Sequence, residues 1–149
     1  TNKLTVVPFK PELDDTDSVT GDVSTYKVQT KQMSFQTQAK KKVSRIRITF
    51  KGGNGANINI VPKYSVDGGP FDNNFVNTSG ETITGVTSDG NTRYITGNTN
   101  STEIELNTTS TANGVRSFAI ELSNVSGQSI PHDLEINDIT IIYRTKSIK

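Results

Sequence analysis

Apolar and polar residues alternate with a period of two along much of this 149-residue chain. The clearest stretch is residues 43–50, where Ile46, Ile48 and Phe50 lie two apart and two arginines and a threonine fill the positions before and between them. Successive side chains of a strand point to opposite faces of a sheet, so this pattern predicts a strand with one buried and one solvent face.

Similar patterns recur along the chain and predict further short strands. These strands cover residues 23–29, 33–39, 57–66, 102–107, 116–123 and 134–143. Turns are predicted between them at 52–55, 67–69 and 113–114, where glycine and asparagine accept a positive φ. Pro62 removes a ladder donor, so the strand that contains it is expected at a sheet edge or at a bulge.

Residues 70–101 form the least regular stretch of the chain and are dense in Asn, Gly, Ser and Thr. Short strands are predicted only near 82–86 and 93–96. We expect the rest of this stretch to form loops at one end of the fold, where binding sites concentrate.

The last predicted strand changes phase partway along. Leu134 and Ile136 lie two apart, but Ile139 and Ile141 follow with a shift of one residue. A β-bulge at Asn137-Asp138 would return these side chains to the core face. The alternative is a strand that is buried on both faces near its end, because Ile142 is apolar too. We favour the bulge.

The composition supports an all-β protein. Ile and Val number 26, whereas Leu, Ala and Met together number 10. Branched side chains fit a pleated surface better than a helix. No segment of 10 or more residues predicts a helix. We therefore expect an antiparallel, jelly-roll-like β-sandwich of about eight to ten short strands over residues 23–149, preceded by an arm or linker over 1–22.

The charge and the cysteine count limit the function classes. A net charge of +1 gives no global field to attract nucleic acid or an anionic membrane. No cysteine is present, which excludes disulfides and thiolate chemistry. No apolar run is long enough to span a bilayer. We expect neither nucleic-acid binding nor membrane insertion.

Catalytic and metal-binding motifs are weak. His132 is the single histidine, it follows a proline, and no nucleophile motif accompanies it, so we expect no enzyme activity and no cofactor. Carboxylate pairs that meet only in three dimensions stay open. Four aspartates near the N-terminus offer oxygen ligands for Ca²⁺, but their spacing does not match an EF-hand, and a solvated acidic loop is the favoured interpretation. They are Asp14, Asp15, Asp17 and Asp22.

A local basic patch is predicted around the lysine run. Its members are Lys40, Lys41, Lys42, Arg45 and Arg47. No aromatic side chain shares its face, as a binder of single-stranded nucleic acid would require. We therefore favour a lysine turn that protects a sheet edge against aggregation.

Sugar binding is the remaining ligand hypothesis. Tyr94 is the one aromatic residue in the irregular region that we nominate for stacking on a sugar, with Asn91 and Asp89 beside it as polar partners. The chain has no tryptophan, the usual residue for this role, which weakens the hypothesis.

Two segments resemble structural proteins of tailed-bacteriophage virions. Tyr64-Ser65-Val66-Asp67-Gly68-Gly69 is similar to a strand and turn of such proteins, and the strand from Glu135 to Lys146 resembles the closing segment of some tail and neck proteins. The resemblance implies a C-terminal β-sandwich module in a virion that contacts copies of itself, neighbouring virion proteins or a cell-surface glycan, with a homo-oligomer expected. The alternative is a carbohydrate-binding module of an adhesin or a secreted enzyme.

Overall fold

The computed structural model describes residues 2–6, 26–35, 37–51, 60–84, 102–127 and 134–146. These residues form nine strands and one 3₁₀ turn at Ser110–Ala112. The strands are β1 (Asn2–Val6), β2 (Lys27–Gln29), β3 (Lys41–Lys51), β4 (Ile60–Val66), β5 (Asn73–Asn74), β6 (Thr102–Asn107), β7 (Asn113–Val115), β8 (Phe118–Asn124) and β9 (Glu135–Thr145).

The strands form two antiparallel sheets. The first has the order β1-β9-β3-β6, and β7 pairs with the beginning of β3. The second has the order β2-β8-β4-β5. The predicted all-β sandwich is confirmed.

The pairing pattern is that of a jelly roll. When the short β7 is left out, the first strand pairs with the last (β1 with β9) and the second pairs with the next to last (β2 with β8). The same nesting continues inward, where β3 pairs with β6 and β4 pairs with β5. A chain with this pairing is one long antiparallel ribbon that is rolled into two sheets.

The core lies between the two sheets. Tyr64 and Phe118 of the second sheet stack with ring centroids 5.2 Å apart, and Phe75 packs against Tyr64 at 4.8 Å. The first sheet contributes mainly branched aliphatic residues. They are Val43, Ile46, Ile48, Ile136, Ile139 and Ile141.

The predicted bulge in the last strand is confirmed. Thr49 pairs with Asp138 and the adjacent Phe50 pairs with Ile136, which leaves Asn137 as the extra residue of β9. The extra residue shifts the phase, so Ile136 and Ile139 are both buried although they are three positions apart.

A second bulge was not predicted. Val43 pairs with Tyr143 and Arg45 with Ile142, so that Ser44 is the extra residue of β3. The Ser44 hydroxyl donates a hydrogen bond to the carbonyl oxygen of Ile142 at 3.0 Å. The bulge lets Val43 share the core with Ile46 despite their odd spacing.

Several boundaries differ from the predictions. The described residues 33–35 and 37–39 form no strand; Met33 makes one isolated bridge to Phe118, and Phe35 has a φ of 57°. Asn113-Gly114 was predicted as a turn but belongs to β7. Residues 2–6 pair along β9, so they belong to the sheet instead of the predicted arm.

The prediction for Pro62 is wrong for the strand as a whole, because β4 lies between β8 and β5 and pairs with β8 without a bulge. β5 pairs with β4 only at Lys63 and Tyr64, so within the described residues Pro62 has a ladder partner on one side only, Leu122 of β8. In the described part of the chain no helix is long and apolar enough to cross a membrane.

Candidate interaction site at the basic end of the sandwich

The two ends of the sandwich are defined by the strand register. At one end lie the beginnings of β3 and β8 and the ends of β4 and β9, because Lys41 pairs with Thr145 and Val66 pairs with Phe118. At the other end lie the end of β3 and the beginning of β9, where Lys51 pairs with Glu135. We call the first the basic end and the second the far end.

Five exposed cationic side chains converge at the basic end. Lys146 is tied to Lys40 by a hydrogen bond from its backbone N–H to the Lys40 carbonyl oxygen at 2.7 Å. None of the five makes an ion pair with a described residue. They are Lys40, Lys42, Arg116, Arg144 and Lys146.

Two of these cations face each other directly. Lys42 of β3 is the cross-strand partner of Arg144 of β9. Directly opposite residues place their Cβ atoms about 5 Å apart, where like charges destabilise a sheet. No carboxylate of the described residues relieves this repulsion, so a bound anionic group would stabilise the pair.

Two open depressions lie at these residues. One of about 470 Å³ is lined by Lys40, Arg116 and Asp67, among others. The other, of about 320 Å³, is lined by Lys42, Arg45 and Arg144 together with Ser44 and Ile142. Both are shallow and cation-lined, a shape that suits an extended acidic segment better than an enclosed small molecule.

Lys146 lies close to Gly114, a residue that lines the first depression. A Cβ placed on Gly114 would lie 3.6 Å from the Lys146 Nζ, and its φ of +94° favours glycine. The Lys146 ammonium group therefore lies over the β7 segment beside the depression that contains Lys40.

Buried Lys41 holds the basic end together. Its side chain is 0% exposed, and its Nζ donates hydrogen bonds to the carbonyl oxygens of Thr37 at 2.6 Å, Ala39 at 2.8 Å and Arg116 at 3.0 Å. An ammonium group has three donors, so all three are satisfied. Burial lowers the pKa of Lys41, and the negative charge of Asp67 opposes that shift.

Aromatic stacking adds to this frame. The Lys41 Nζ lies 5.7 Å from the centre of the Phe35 ring, within the range of a cation–π contact. Phe35 in turn stacks on Tyr143 of β9 with a centroid separation of 4.2 Å. The loop that precedes β3 is therefore fixed to the last strand.

Asp67 fixes the turn that carries Arg116. Its carboxylate accepts hydrogen bonds from the backbone N–H groups of Arg116 at 2.6 Å and Ser117 at 2.9 Å. Its own N–H donates to the Ser117 carbonyl oxygen at 3.1 Å. The acid at this end is thus used by the backbone and neutralises no cationic side chain in the described region by direct contact.

The structure divides the predicted basic patch into three environments. Lys40 and Lys42 are exposed at the basic end. Lys41 is buried, so its assignment to a surface patch is corrected. The lysine run is also not at a sheet edge, because β3 lies between β9 and β7 at this point. Successive side chains of β3 point to opposite faces of the sheet, so Lys41 faces the interior while Lys40 and Lys42 face solvent.

Arg45 and Arg47 form a separate group with Glu105 of β6. Arg45 donates to one carboxylate oxygen at 2.7 Å and Arg47 to the other at 2.8 Å. The hydrogen bond from Arg47, and after it the bond and charge of Arg45, lower the pKa of Glu105. One of the two positive charges is therefore balanced within the sheet.

The other predicted site residues lie outside the described residues. These include the sugar-site candidates Tyr94, Asn91 and Asp89, the calcium candidates Asp14, Asp15, Asp17 and Asp22, and His132. Where the structure does describe the chain, no three His, Cys, Asp or Glu side chains group closely enough to hold a metal ion.

Sequence reasoning missed three members of the basic end, namely Arg116, Arg144 and Lys146. Arg144 and Lys146 lie two apart, a spacing that places them on one face of a strand. That signal was available, but the partner of this face, Lys42, lies about a hundred residues earlier, and only the register brings them together.

Comparison with known proteins gives no match. No protein-family model matches the chain, and neither a curated protein nor a solved structure is detectably similar to it. The argument for function therefore depends on the site itself.

Proposed function

We propose that this chain is a non-enzymatic structural and interaction module of a tailed-bacteriophage virion, in a tail or neck component. It acts by assembly with copies of itself or with neighbouring virion proteins, or by contact with a host surface. On this proposal the protein resides in the virion, and an oligomer is its working form.

The observation that carries the proposal is the basic end. Five exposed cations on a frame held by Lys41 and Asp67 lack acidic partners among the described residues, and two of them, Lys42 and Arg144, repel each other across the sheet. Such an arrangement is stabilised by an anionic partner, and electrostatic complementarity gives specificity and a fast encounter. A shallow charged surface supports docking and offers no enclosed pocket for a reaction.

Two further considerations support a virion role. The segments that resemble phage proteins are the end of β4 with its turn and the strand β9, and the β4 turn and the end of β9 lie at the basic end. The jelly-roll architecture is also used by viral capsid and lectin domains. This second point is an analogy of fold, and fold alone does not determine function.

The carbohydrate-binding alternative has one observation in its favour. The connection that holds Tyr94, Asn91 and Asp89 enters β6 at Thr102, which pairs with Phe50 near the far end of the sandwich. Loops at the ends of lectin-type sandwiches are suitable places for sugar contacts.

Light scattering over about 1–100 µM protein, a glycan array and binding to purified lipopolysaccharide test the proposal. We expect concentration-dependent association or binding to lipopolysaccharide. A neutral-glycan hit that Tyr94→Ala abolishes, from a protein that stays monomeric, would favour the alternative. A monomer that binds neither glycan nor lipopolysaccharide would contradict both functions.

A further inference from the structure

Three cations surround the second depression, which lies on the outer face of the first sheet. Lys42 of β3 pairs with Arg144 of β9, and both side chains are exposed. Two positions further along β9, Ile142 pairs with Arg45. All four residues line the depression of about 320 Å³, together with Ser44. Positive groups therefore come from both of the strands that form this site.

The bulge at Ser44 places Lys42 and Arg45 on this same face. Residues three apart point to opposite faces of a regular strand. With the extra residue, Val43 and Ile46 both face the core, and Lys42 and Arg45 both face outward. Arg45 then lies about 7 Å along the sheet from the paired cations, which is within reach of long side chains. Bulges often occur beside functional sites, where they re-aim a side chain.

Arg45 is oriented by Glu105 and keeps donors for a ligand. Its Nη1 donates to the Glu105 carboxylate at 2.7 Å, and its side chain is still 43% exposed. That bond uses one of the five N–H donors of the guanidinium group. Glu105 also binds Arg47, so its single negative charge does not neutralise Arg45 fully.

We infer that this depression binds a phosphate monoester group. Such a group carries about −1.5 to −2 charges near pH 7 and three acceptor oxygens, which suits three cationic donors better than the single charge of a carboxylate. Guanidinium groups also match phosphate oxygens with paired hydrogen bonds. The inference rests on the proposed function, because it names the chemical group in a host-surface contact, the phosphate of a cell-surface glycan.

The first depression provides a matched control. Lys40 and Arg116 line it, but so does Asp67, whose negative charge repels an anion. The site variant is K42Q/R144Q and the control is K40Q/R116Q. Both variants lose two positive charges at the same end of the sandwich, so only the position of the lost charges differs.

A titration of the full chain with inorganic phosphate tests the site. It is followed by ¹⁵N NMR in about 100 mM NaCl, where charges more than about 10 Å away are screened. We expect saturable shifts of the Ser44 and Arg45 amide signals. The site variant should bind at least about tenfold more weakly, and the control should change the Kd by less than about threefold. Acetate, which carries one charge, should bind the wild type at least about tenfold more weakly than phosphate.

The site variant removes a like-charge repulsion, so it should remain folded. Circular dichroism verifies this, and R144Q replaces the double variant if that variant is unfolded.

Lipopolysaccharide distinguishes a surface glycan from a small phosphate compound as the source of the group. Intact lipopolysaccharide should bind at least about tenfold more tightly than the same material dephosphorylated with hydrofluoric acid, and K42Q/R144Q should lose this preference. Saturable phosphate binding without that preference would support the site and assign it to a small phosphate compound.

Four results would overturn the inference. They are no saturable phosphate binding by the wild type, equal weakening by the two variants, equal binding of acetate and phosphate, and at least about tenfold tighter phosphate binding by D14N/D15N/D17N. The last result would show that the chain's own acidic segment occupies the site. If the wild type then still associates or binds dephosphorylated lipopolysaccharide, the proposed function stands and only the phosphate site fails. A monomer that binds neither glycan nor lipopolysaccharide contradicts the proposed function, and the phosphate titration still decides the site.

Discussion

Three consecutive lysines of this chain occupy different environments. Lys40 and Lys42 extend into solvent, whereas Lys41 points inward and is 0% exposed. Burial of an ammonium group is costly unless its donors are paired, and here three carbonyl oxygens pair them. The middle lysine therefore acts as a cross-link between β3, the loop before it and the β7–β8 turn.

Lys41→Met should destabilise the protein by about 2–4 kcal/mol, because it leaves three buried carbonyl oxygens without a donor while keeping a similar shape. Urea unfolding measures the change. Lys42→Met, at an exposed position opposite Arg144, is the control and should change stability by less than about 0.5 kcal/mol. Equal effects of the two substitutions would show that Lys41 has no structural role.

Tyr26 is a second buried polar residue, and unlike Lys41 it lacks a hydrogen-bond partner for its side chain among the described residues. Its side chain is 6% exposed, and its hydroxyl has no hydrogen-bond partner within the described residues. Burial raises the pKa of Tyr26 from 10.0 to about 12. Between these values the unfolded chain releases a proton that the folded chain keeps, so stability falls as pH rises from 10 to 12.

Tyr26→Phe should stabilise the protein by about 1 kcal/mol at pH 7, because it removes an unsatisfied buried hydroxyl. The advantage of the variant should grow by roughly 2 kcal/mol between pH 10 and 12, since phenylalanine cannot ionise. Urea unfolding of both proteins at each pH measures the difference, in which other titrating groups cancel. A constant difference would argue against the raised pKa.

At the scale of the element, two bulges place the core residues of the first sheet. Asn137 in β9 and Ser44 in β3 each insert one residue into adjacent strands, near opposite ends of their ladder. Each insertion reverses the face of the residues beyond it, so that apolar residues at odd spacing reach the same core.

Deletion of Asn137 should destabilise the protein by more than about 3 kcal/mol. Without the extra residue, Leu134 and Ile136 would point to the outer face, or β9 would lose its pairing with the end of β3. Thermal and urea unfolding measure the loss, and Asn137→Ser, which keeps the residue count, should cost less than about 1 kcal/mol. A deletion variant as stable as the wild type would show that the bulge is dispensable.

Features that depend on a few neighbouring residues could be predicted from the sequence, whereas features that depend on distant contacts could not. β6 was predicted with its observed bounds, because Ile104 and Leu106 alternate with glutamates, and the bulge at Asn137 was predicted from a phase change within a few residues. The bulge at Ser44 was not predicted. The regular alternation that begins at Arg45, continued backward, places Val43 on the solvent face, whereas the bulge turns it into the core. Residues 33–39 show alternation in the sequence, but tertiary contacts of Phe35 and Lys41 keep the described residues 33–35 and 37–39 out of a strand.

For the whole molecule, the jelly-roll connectivity determines what is gathered at each end. It brings the beginning of β3, the turn before β8 and the end of β9 together, although they lie up to about a hundred residues apart. Lys40 and Lys42 of the predicted basic patch are exposed at the basic end, whereas Arg116, Arg144 and Lys146 were not part of the prediction. A local pattern cannot reveal such a site, because register between distant strands creates it.

The pairing of the first strand with the last also limits when folding is completed. Val6 pairs with Ile139, and β3 receives β9 along most of its length only after the final strand has been synthesised. Until then β3, with its Ile46, Ile48 and Phe50, presents an open edge to other chains. Such distant pairing makes folding slow and leaves the nascent chain prone to aggregation, so expression at reduced temperature and chaperone supply should raise the soluble yield.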